Sequence, residues 1–285
     1  MLSYFQILFL AIIQGACELL PVSSSAHVIV AEKLMGLDPS APAMTLLLVM
    51  LHTGTMFAVI VYFWNGWRRD YFSSWQTSWS FIKQVFLATI CTGVVGLGLK
   101  IIIEKVFLRG TPHAEVEMLF SNLPLIATAL AIVGFFMIYA GNREGRVTSS
   151  SSLSSKQALG IGLVQGLCLP FRGFSRSGST ISAGLLFGLP KKKIEEFSFA
   201  LAVVLTPIVI AKEMHRLVHA HVLSSDGPLH HLFFQTLVGM VFSFFAGLLA
   251  LRWLSRWLEG GRWKYFGIYC LIASSLIFFL NYFLL

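Results

Sequence analysis

Residues 20–27 read LPVSSSAH and residues 172–180 read RGFSRSGST, and each polar knot interrupts a stretch that is otherwise apolar. No other feature restricts the fold as much. The two stretches, 3–36 and 157–189, are long enough to enter a bilayer. Polar, broken backbone at membrane depth is tolerated only where it is buried in protein or lines a wet cavity. Each stretch is therefore expected to be a re-entrant hairpin, two short helices meeting at a polar tip.

The rest of the chain supplies the membrane protein that such hairpins need. Of its 285 residues, 56% are hydrophobic and 12% are charged, with a mean hydropathy of +0.77. A soluble domain carries about 25% charge, so a soluble fold is excluded. Five apolar runs, at 45–64, 84–103, 120–140, 231–251 and 265–285, each approach the ~20 residues that a crossing helix requires. A sixth, 197–212, is shorter and is interrupted by Pro207. Cys17, Cys91, Cys168 and Cys270 all fall in apolar stretches and read as reduced core residues. No Lys or Arg precedes the first apolar run, which argues against a cleaved N-terminal signal. The formal charge of +8 reads as basic loops that orient a membrane protein, with no nucleic acid as partner.

The two halves resemble each other. QGAC at 14–17 returns as QGLC at 165–168. Ser23, Ser25 and MGL at 35–37 align, one residue further shifted, with Ser175, Ser177 and FGL at 187–189. The fold class expected is an all-α integral membrane protein, a single domain made of a first repeat (1–140), a solvated linker (141–156) and a second repeat (157–285). Each repeat holds a re-entrant hairpin and three transmembrane helices. Three is odd, so the second repeat must lie inverted relative to the first, with the site where the halves meet. Outside the two tips, thirteen Lys and Arg residues fall on one side, among them Arg68, Arg69, Lys83, Arg143, Arg146, Lys191 and Lys264. Six fall on the other: Lys33, Lys100, Lys105, Arg109, Lys212 and Arg216. The basic excess puts the first set in the cytoplasm, so the first hairpin enters from outside and the second from inside.

The tips carry chemistry. Gln14 and Glu18 are four apart on one helix face, and an intramembrane carboxylate is functional by default. Ser24 and His27, three apart, share a face if the second short helix has begun there; together with Glu18 they are the parts for nucleophile activation or acid–base work. Ser23, Ser24 and Ser25 can equally serve as plain helix caps. In the second tip, Gly173 and Gly178 relax the backbone around Ser175, Arg176, Ser177, Ser179 and Thr180. A helix starting there aims free N–H groups and its positive dipole end at an anion, and Arg176 suits phosphate oxygens. A salt bridge between Arg176 and Glu18 is the structural alternative. Together the tips point to phosphoryl chemistry on a substrate that lives in the membrane, and a phosphate-handling transporter would need similar parts.

At QGACELLPVSSSAH and GFSRSGSTIS the sequence resembles the undecaprenyl-diphosphate phosphatases, the bacitracin-resistance family of bacterial inner-membrane enzymes. The resemblance covers nearly the whole chain. It implies removal of the terminal phosphate from undecaprenyl diphosphate to give undecaprenyl phosphate, the lipid carrier for peptidoglycan. It also implies a divalent cation, magnesium or calcium, with Glu18 as its ligand, and a site open to the periplasm of the inner membrane. Glu18, Ser24, His27 and Arg176 match the family's catalytic positions, and Gln14, Ser175, Ser177 and Thr180 its substrate-binding ones. Ser24 is the preferred nucleophile with His27 as proton carrier; direct attack by His27 is the second choice. The implied partners are undecaprenyl diphosphate, membrane lipid and bacitracin as a competitor for the substrate, with a homodimer left open. Two departures stand out. Gln14 occupies the first position of the family's acidic pair, and Arg172 replaces the proline before Gly173. Membrane phosphatases of the phosphatidic-acid type also use a serine-rich stretch ending in histidine, but they require a further His and Asp after Ser-Arg. The chain has no such pair between Arg176 and Lys191. A lipid-phosphate flippase or anion transporter remains as the alternative function.

Overall fold

The structure, a computed structural model, describes residues 3–38, 41–107, 119–120, 122–143, 153–219 and 229–283. Among them every regular element is helical. The helices are α1 (Tyr4–Leu19), α2 (Ser24–Leu34), α3 (Pro42–Asp70), α4 (Trp75–Ile102), α5 (Leu123–Asn142), α6 (Ser155–Cys168), α7 (Arg176–Leu186), α8 (Lys191–His219), α9 (Leu229–Glu259) and α10 (Trp263–Phe283). A π-helical turn, Ile103–Phe107, prolongs α4.

Length separates two kinds of helix. Six of them, α3, α4, α5, α8, α9 and α10, are long and apolar enough to cross a membrane. α1 and α2, with 16 and 11 residues, reach only about 24 and 17 Å at 1.5 Å per residue. That is short of a hydrocarbon core about 30 Å thick. α6 and α7, with 14 and 11 residues, are equally short. The order is thus two short helices and three long ones, twice over. The corresponding long helices have 29 and 29, 28 and 31, and 20 and 21 residues.

Several helices run past the apolar stretches that located them, as α3 does to Asp70, α4 back to Trp75 and α9 to Glu259, and α8 differs most. The run at 197–212 was expected to be short and broken at Pro207, whereas α8 continues from Lys191 to His219 with Pro207 inside it. A proline removes one backbone hydrogen bond, and packed apolar helices accommodate that loss through neighbouring groups. The polar first turns of α8 then project past the apolar run. Arg109 and Arg146 of the charge tally, and residues 144–152 of the linker, lie outside the described residues.

Local signals recur at equivalent places. Ser3 caps α1 and Ser154 caps α6, and each forms a capping box with a glutamine three residues on, Gln6 and Gln157. α2 and α7 both end on a left-handed glycine, Gly36 at φ 65° and Gly188 at φ 74°. In each case the glycine N–H bonds back three residues and the next N–H five, which satisfies the last carbonyls of the helix.

Packing pairs the halves crosswise. α1 lies on α9 and α6 lies on α4, while α3 packs on α8 and α5 on α10. The recurring Gln-Gly dipeptide explains the first two contacts. A Cβ on Gly15 would strike the Ser243 carbonyl and Ala246 of α9, and one on Gly166 would strike Val95 and the Thr92 carbonyl of α4. Close approach through small residues is how apolar helices associate where no hydrophobic drive separates them from lipid. One end of the bundle gathers basic residues. There Lys192 Nζ lies 3.1 Å from Asp70 at the end of α3, and Lys191 Nζ donates to the Glu259 carbonyl of α9 at 3.2 Å.

Candidate active site

The two short-helix pairs meet tip to tip. Glu18 stands in the last turn of α1, and the chain reverses through Leu20–Ser23 before α2 begins at Ser24. Ser23 makes the turn with φ 66°, the sole non-glycine in the left-handed region among the described residues. Such a conformation costs about 1–3 kcal/mol and persists only where its surroundings over-determine it. From the second tip, the Gly173 N–H donates to Ser25 Oγ at 3.3 Å. Gly173 holds φ 94° with its Cα against Ile126 of α5, where a side chain would meet the carbonyl. Glycine is required there for both reasons.

Glu18 is the hub. Its Oε2 accepts from Ser24 Oγ at 2.6 Å and from Gln14 Nε2 at 3.2 Å. Its Oε1 accepts from Arg176 Nη2 at 3.4 Å, joining the two hairpins. His52 Nε2, from α3, lies 3.7 Å from Oε2 and is aimed there because Nδ1 bonds the Leu48 carbonyl at 2.8 Å. The carboxylate is 19% exposed and Arg176 20%, so the pair is screened from bulk solvent without being sealed. Such a partly buried charge pair with hydrogen bonds is held far better than an exposed one.

Of the residues singled out in the sequence, Gln14, Glu18, Ser24 and Arg176 come together in this network. The salt bridge considered as an alternative role for Arg176 and Glu18 is present. His27 stands apart. Its Nδ1 lies 2.8 Å from the Ser23 carbonyl, which can only accept, and its Nε2 lies 2.7 Å from the Tyr269 hydroxyl of α10. The ring stacks on Tyr269 with centroids 5.7 Å apart. With both nitrogens engaged, His27 makes no hydrogen bond to Ser24 in this arrangement, whose proton faces Glu18 instead.

The hydroxyls of the second tip are turned inward. Ser175 caps α7 by accepting from the Gly178 N–H at 3.2 Å, and it is 3% exposed. Ser177 is equally buried, and Ser179 donates to the Ser175 carbonyl at 2.7 Å. Thr180 bonds the Arg176 carbonyl at 2.9 Å and Ser198 Oγ of α8 at 2.6 Å. Ser198 also offers its carbonyl to Arg176 Nη1 at 3.4 Å, so Thr180 and Ser198 brace the guanidinium from behind. His52, Ser198 and Tyr269 were not found from the sequence. For His52 the signal was available, since an ionisable residue within a crossing helix marks a site. Ser198 and Tyr269 carry no such signal.

Among the described residues no three His, Cys, Asp or Glu side chains gather as a metal set. The donors within reach of a cation are the Glu18 carboxylate, the Gln14 amide and the Ser24 hydroxyl. Magnesium keeps several waters and commonly binds one carboxylate together with substrate phosphates. This donor set fits a cation that arrives with a diphosphate and does not fit a resident protein cage.

Comparison with known proteins agrees with the motifs. Residues 7–276 match the family model described as bacitracin resistance protein BacA. The chain is 56% identical over 280 residues to an undecaprenyl-diphosphatase 2 of Acinetobacter baylyi, covering 97% of each chain. It is 35% identical over 305 residues to an undecaprenyl-diphosphatase 2 of Burkholderia ambifaria, covering 100% of this chain and 98% of the relative. A Burkholderia pseudomallei undecaprenyl-diphosphatase 1 is likewise 35% identical over 304 residues.

Proposed function

The chain belongs to the family of bacitracin resistance protein BacA, and from that premise we propose that it is an integral-membrane phosphatase that hydrolyses undecaprenyl diphosphate to undecaprenyl phosphate and inorganic phosphate. The observation that carries the reading is the single contact set at Glu18: a nucleophile's hydroxyl oxygen 2.6 Å from one carboxylate oxygen and a phosphate-binding guanidinium nitrogen 3.4 Å from the other.

Arg176 releases part of its bond to Glu18 and takes the terminal phosphate, whose geometry a guanidinium matches in bidentate fashion. Ser24 Oγ attacks the terminal phosphorus, and its proton passes to Glu18. The bond from that phosphorus to the bridging oxygen breaks, and undecaprenyl phosphate leaves with the electron pair. Glu18 hands that proton to the departing lipid phosphate and, a carboxylate again, takes a proton from water. The water attacks the phosphoserine, the Ser24 Oγ–P bond breaks, Glu18 returns the proton to Oγ, and inorganic phosphate leaves. His27, hydrogen-bonded through Nε2 to the Tyr269 hydroxyl, serves as the proton carrier beside this tip. A divalent cation held by Glu18 and Gln14 would neutralise charge on the diphosphate oxygens.

We read the fold as an inverted repeat of residues 1–140 and 157–285 joined by 141–156. The crosswise helix pairing, the matched helix lengths and the paired caps support it. The helix pairs act as re-entrant hairpins whose tips meet near the midplane. The basic end is cytoplasmic, so the site opens to the periplasmic face of the inner membrane, where bacitracin competes for the same lipid. The test is phosphate release from a prenyl diphosphate by the purified protein in detergent, with and without EDTA. Hydrolysis that requires Glu18 and Ser24 supports the reading. Lipid movement across proteoliposomes without hydrolysis, unchanged in Ser24→Ala protein, would replace it with a carrier.

A further inference from the structure

His52 is an imidazole inside a crossing helix that the reaction above leaves idle. An ionisable side chain within a span marks a site. Its two ring nitrogens differ. Nδ1 lies 2.8 Å from the Leu48 carbonyl, which can only accept, so Nδ1 carries the proton. In the neutral ring Nε2 keeps its lone pair, and it faces Glu18 Oε2 at 3.7 Å from a side chain still 34% exposed. At that distance no hydrogen bond joins them. Oε2 already accepts from Ser24 Oγ at 2.6 Å and from Gln14 Nε2 at 3.2 Å.

Two lone-pair atoms that face each other beyond hydrogen-bond reach are a pair of cation donors. A histidine that binds metal characteristically donates its other ring N–H to a carboxylate, a backbone carbonyl or water, as Nδ1 does to Leu48. Donors about 2.1 Å from one divalent ion stand about 3–4 Å apart. The 3.7 Å between Nε2 and Oε2 falls in that range. A half-turn of the Gln14 amide puts its oxygen where Nε2 now stands, 3.2 Å from the same carboxylate oxygen. Arg176 meets the other oxygen, Oε1, at 3.4 Å, so the guanidinium and a cation use different sides of Glu18. α1 and α3, which pack together, thus bring an amide, a carboxylate and an imidazole to one place.

The geometry points to His52 as a further ligand of the divalent cation, a nitrogen donor that joins Glu18 and Gln14 from the neighbouring span. The inference deepens the phosphatase reading and rests on it for the diphosphate that completes the coordination. It also bears on which ions suit the site. Calcium and magnesium are hard ions that favour oxygen, whereas imidazole favours first-row transition metals such as cobalt. With Gln14 in place of an acid, the imidazole supplies the donor that a second carboxylate would otherwise give.

The experiment adds manganese and inorganic diphosphate to the purified protein in detergent and records electron spin-echo modulation, which detects a nitrogen bonded directly to the ion. The unaltered protein should show coupling to one imidazole nitrogen, and the coupling should change when histidine is labelled with nitrogen-15. His52→Gln should lose it. His27→Gln should retain it, because that ring is engaged by Ser23 and Tyr269. Displacement of the manganese by cobalt and by calcium gives a second readout. The ratio of calcium to cobalt needed for half displacement should fall about tenfold in His52→Gln, since an amide oxygen replaces the imidazole. No nitrogen coupling in the unaltered protein, or coupling that survives in His52→Gln, would make His52 a mere neighbour of Glu18. That result overturns the inference, while hydrolysis of a prenyl diphosphate by the same protein keeps the phosphatase reading. Should His52→Gln fail to fold, the labelled unaltered protein and His27→Gln still decide the matter: coupling lost in His27→Gln would assign the ligand there and overturn the inference. No hydrolysis by the unaltered protein would overturn the reading and the inference together.

Discussion

The Ser24 hydroxyl donates a 2.6 Å hydrogen bond to Glu18 Oε2, six residues earlier across the turn between α1 and α2. The contact is short because α1 and α2 fold back on each other and Ser23 takes a left-handed conformation between them. The carboxylate is thereby within proton-transfer reach of the hydroxyl before any substrate arrives, as a general base must be.

Removing either member should therefore abolish chemistry without abolishing substrate binding. Ser24→Ala and Glu18→Gln should each lower kcat by about 10²–10⁴-fold, with KM changed far less. Glu18→Gln keeps the volume and one acceptor for Arg176, so the protein should still elute as a folded species in detergent. Phosphate release under saturating prenyl diphosphate measures the effect. Full kcat in Ser24→Ala would exclude Ser24 as the nucleophile and turn attention to water activated by Glu18.

Tyr269 should prove functional although no sequence signal marks it. Tyr269→Phe removes the partner of His27 Nε2 while retaining the stacked ring. We expect about a tenfold loss in kcat, together with a displaced pH–rate profile, and little change in stability. An unaltered pH profile would reduce His27 to an anchor for the turn.

Chelation gives a third check. With one carboxylate at the site, the cation should be shared with substrate, so EDTA should stop turnover and magnesium or calcium should restore it. The apparent cation affinity should tighten as the prenyl diphosphate concentration rises. Full activity in EDTA would remove the cation from the scheme.

Two glycines with positive φ separate conformational strain from crowding. Gly36→Ala meets open space, so it should cost only the left-handed penalty, about 1–2 kcal/mol. Gly173→Ala adds a collision with the Ile126 carbonyl to that penalty, and overpacking contributes about 1–3 kcal/mol more. Thermal unfolding in detergent should rank Gly173→Ala well below Gly36→Ala. Because Gly173 also holds Ser25, its variant should lose turnover as well. Equal unfolding temperatures would contradict the packing described for the second tip.

Sidedness is open to direct labelling. In a cysteine-free background, a cysteine at Asp38 should react with an impermeant thiol reagent in intact spheroplasts. One at Arg69, whose side chain is 69% exposed at the opposite end, should react only after the membrane is opened. The reverse pattern would turn the site toward the cytoplasm.

Much was legible in the sequence because membrane insertion is a one-dimensional constraint. Backbone polar groups cannot face lipid unpaired, so apolar length alone located the crossing helices, and the polar breaks located the tips. Local capping set the ends of α1, α6 and α7, since Ser3, Ser154 and Ser175 bond N–H groups three residues away. The pairing of Gln14 with Glu18 was legible for the same reason: four residues on one helix are neighbours wherever the helix lies. What only the tertiary structure decided is which distant groups reach the tips. Arg176 meets Glu18 across 158 residues and His27 meets Tyr269 across 242, through contacts between helices that carry no mark of their partners. The same packing turned Ser175 and Thr180 inward, onto backbone and Ser198, where their composition alone had suggested an open anion cradle. A hydroxyl satisfies a buried carbonyl as readily as a phosphate, and the choice between them belongs to the neighbours that the fold supplies.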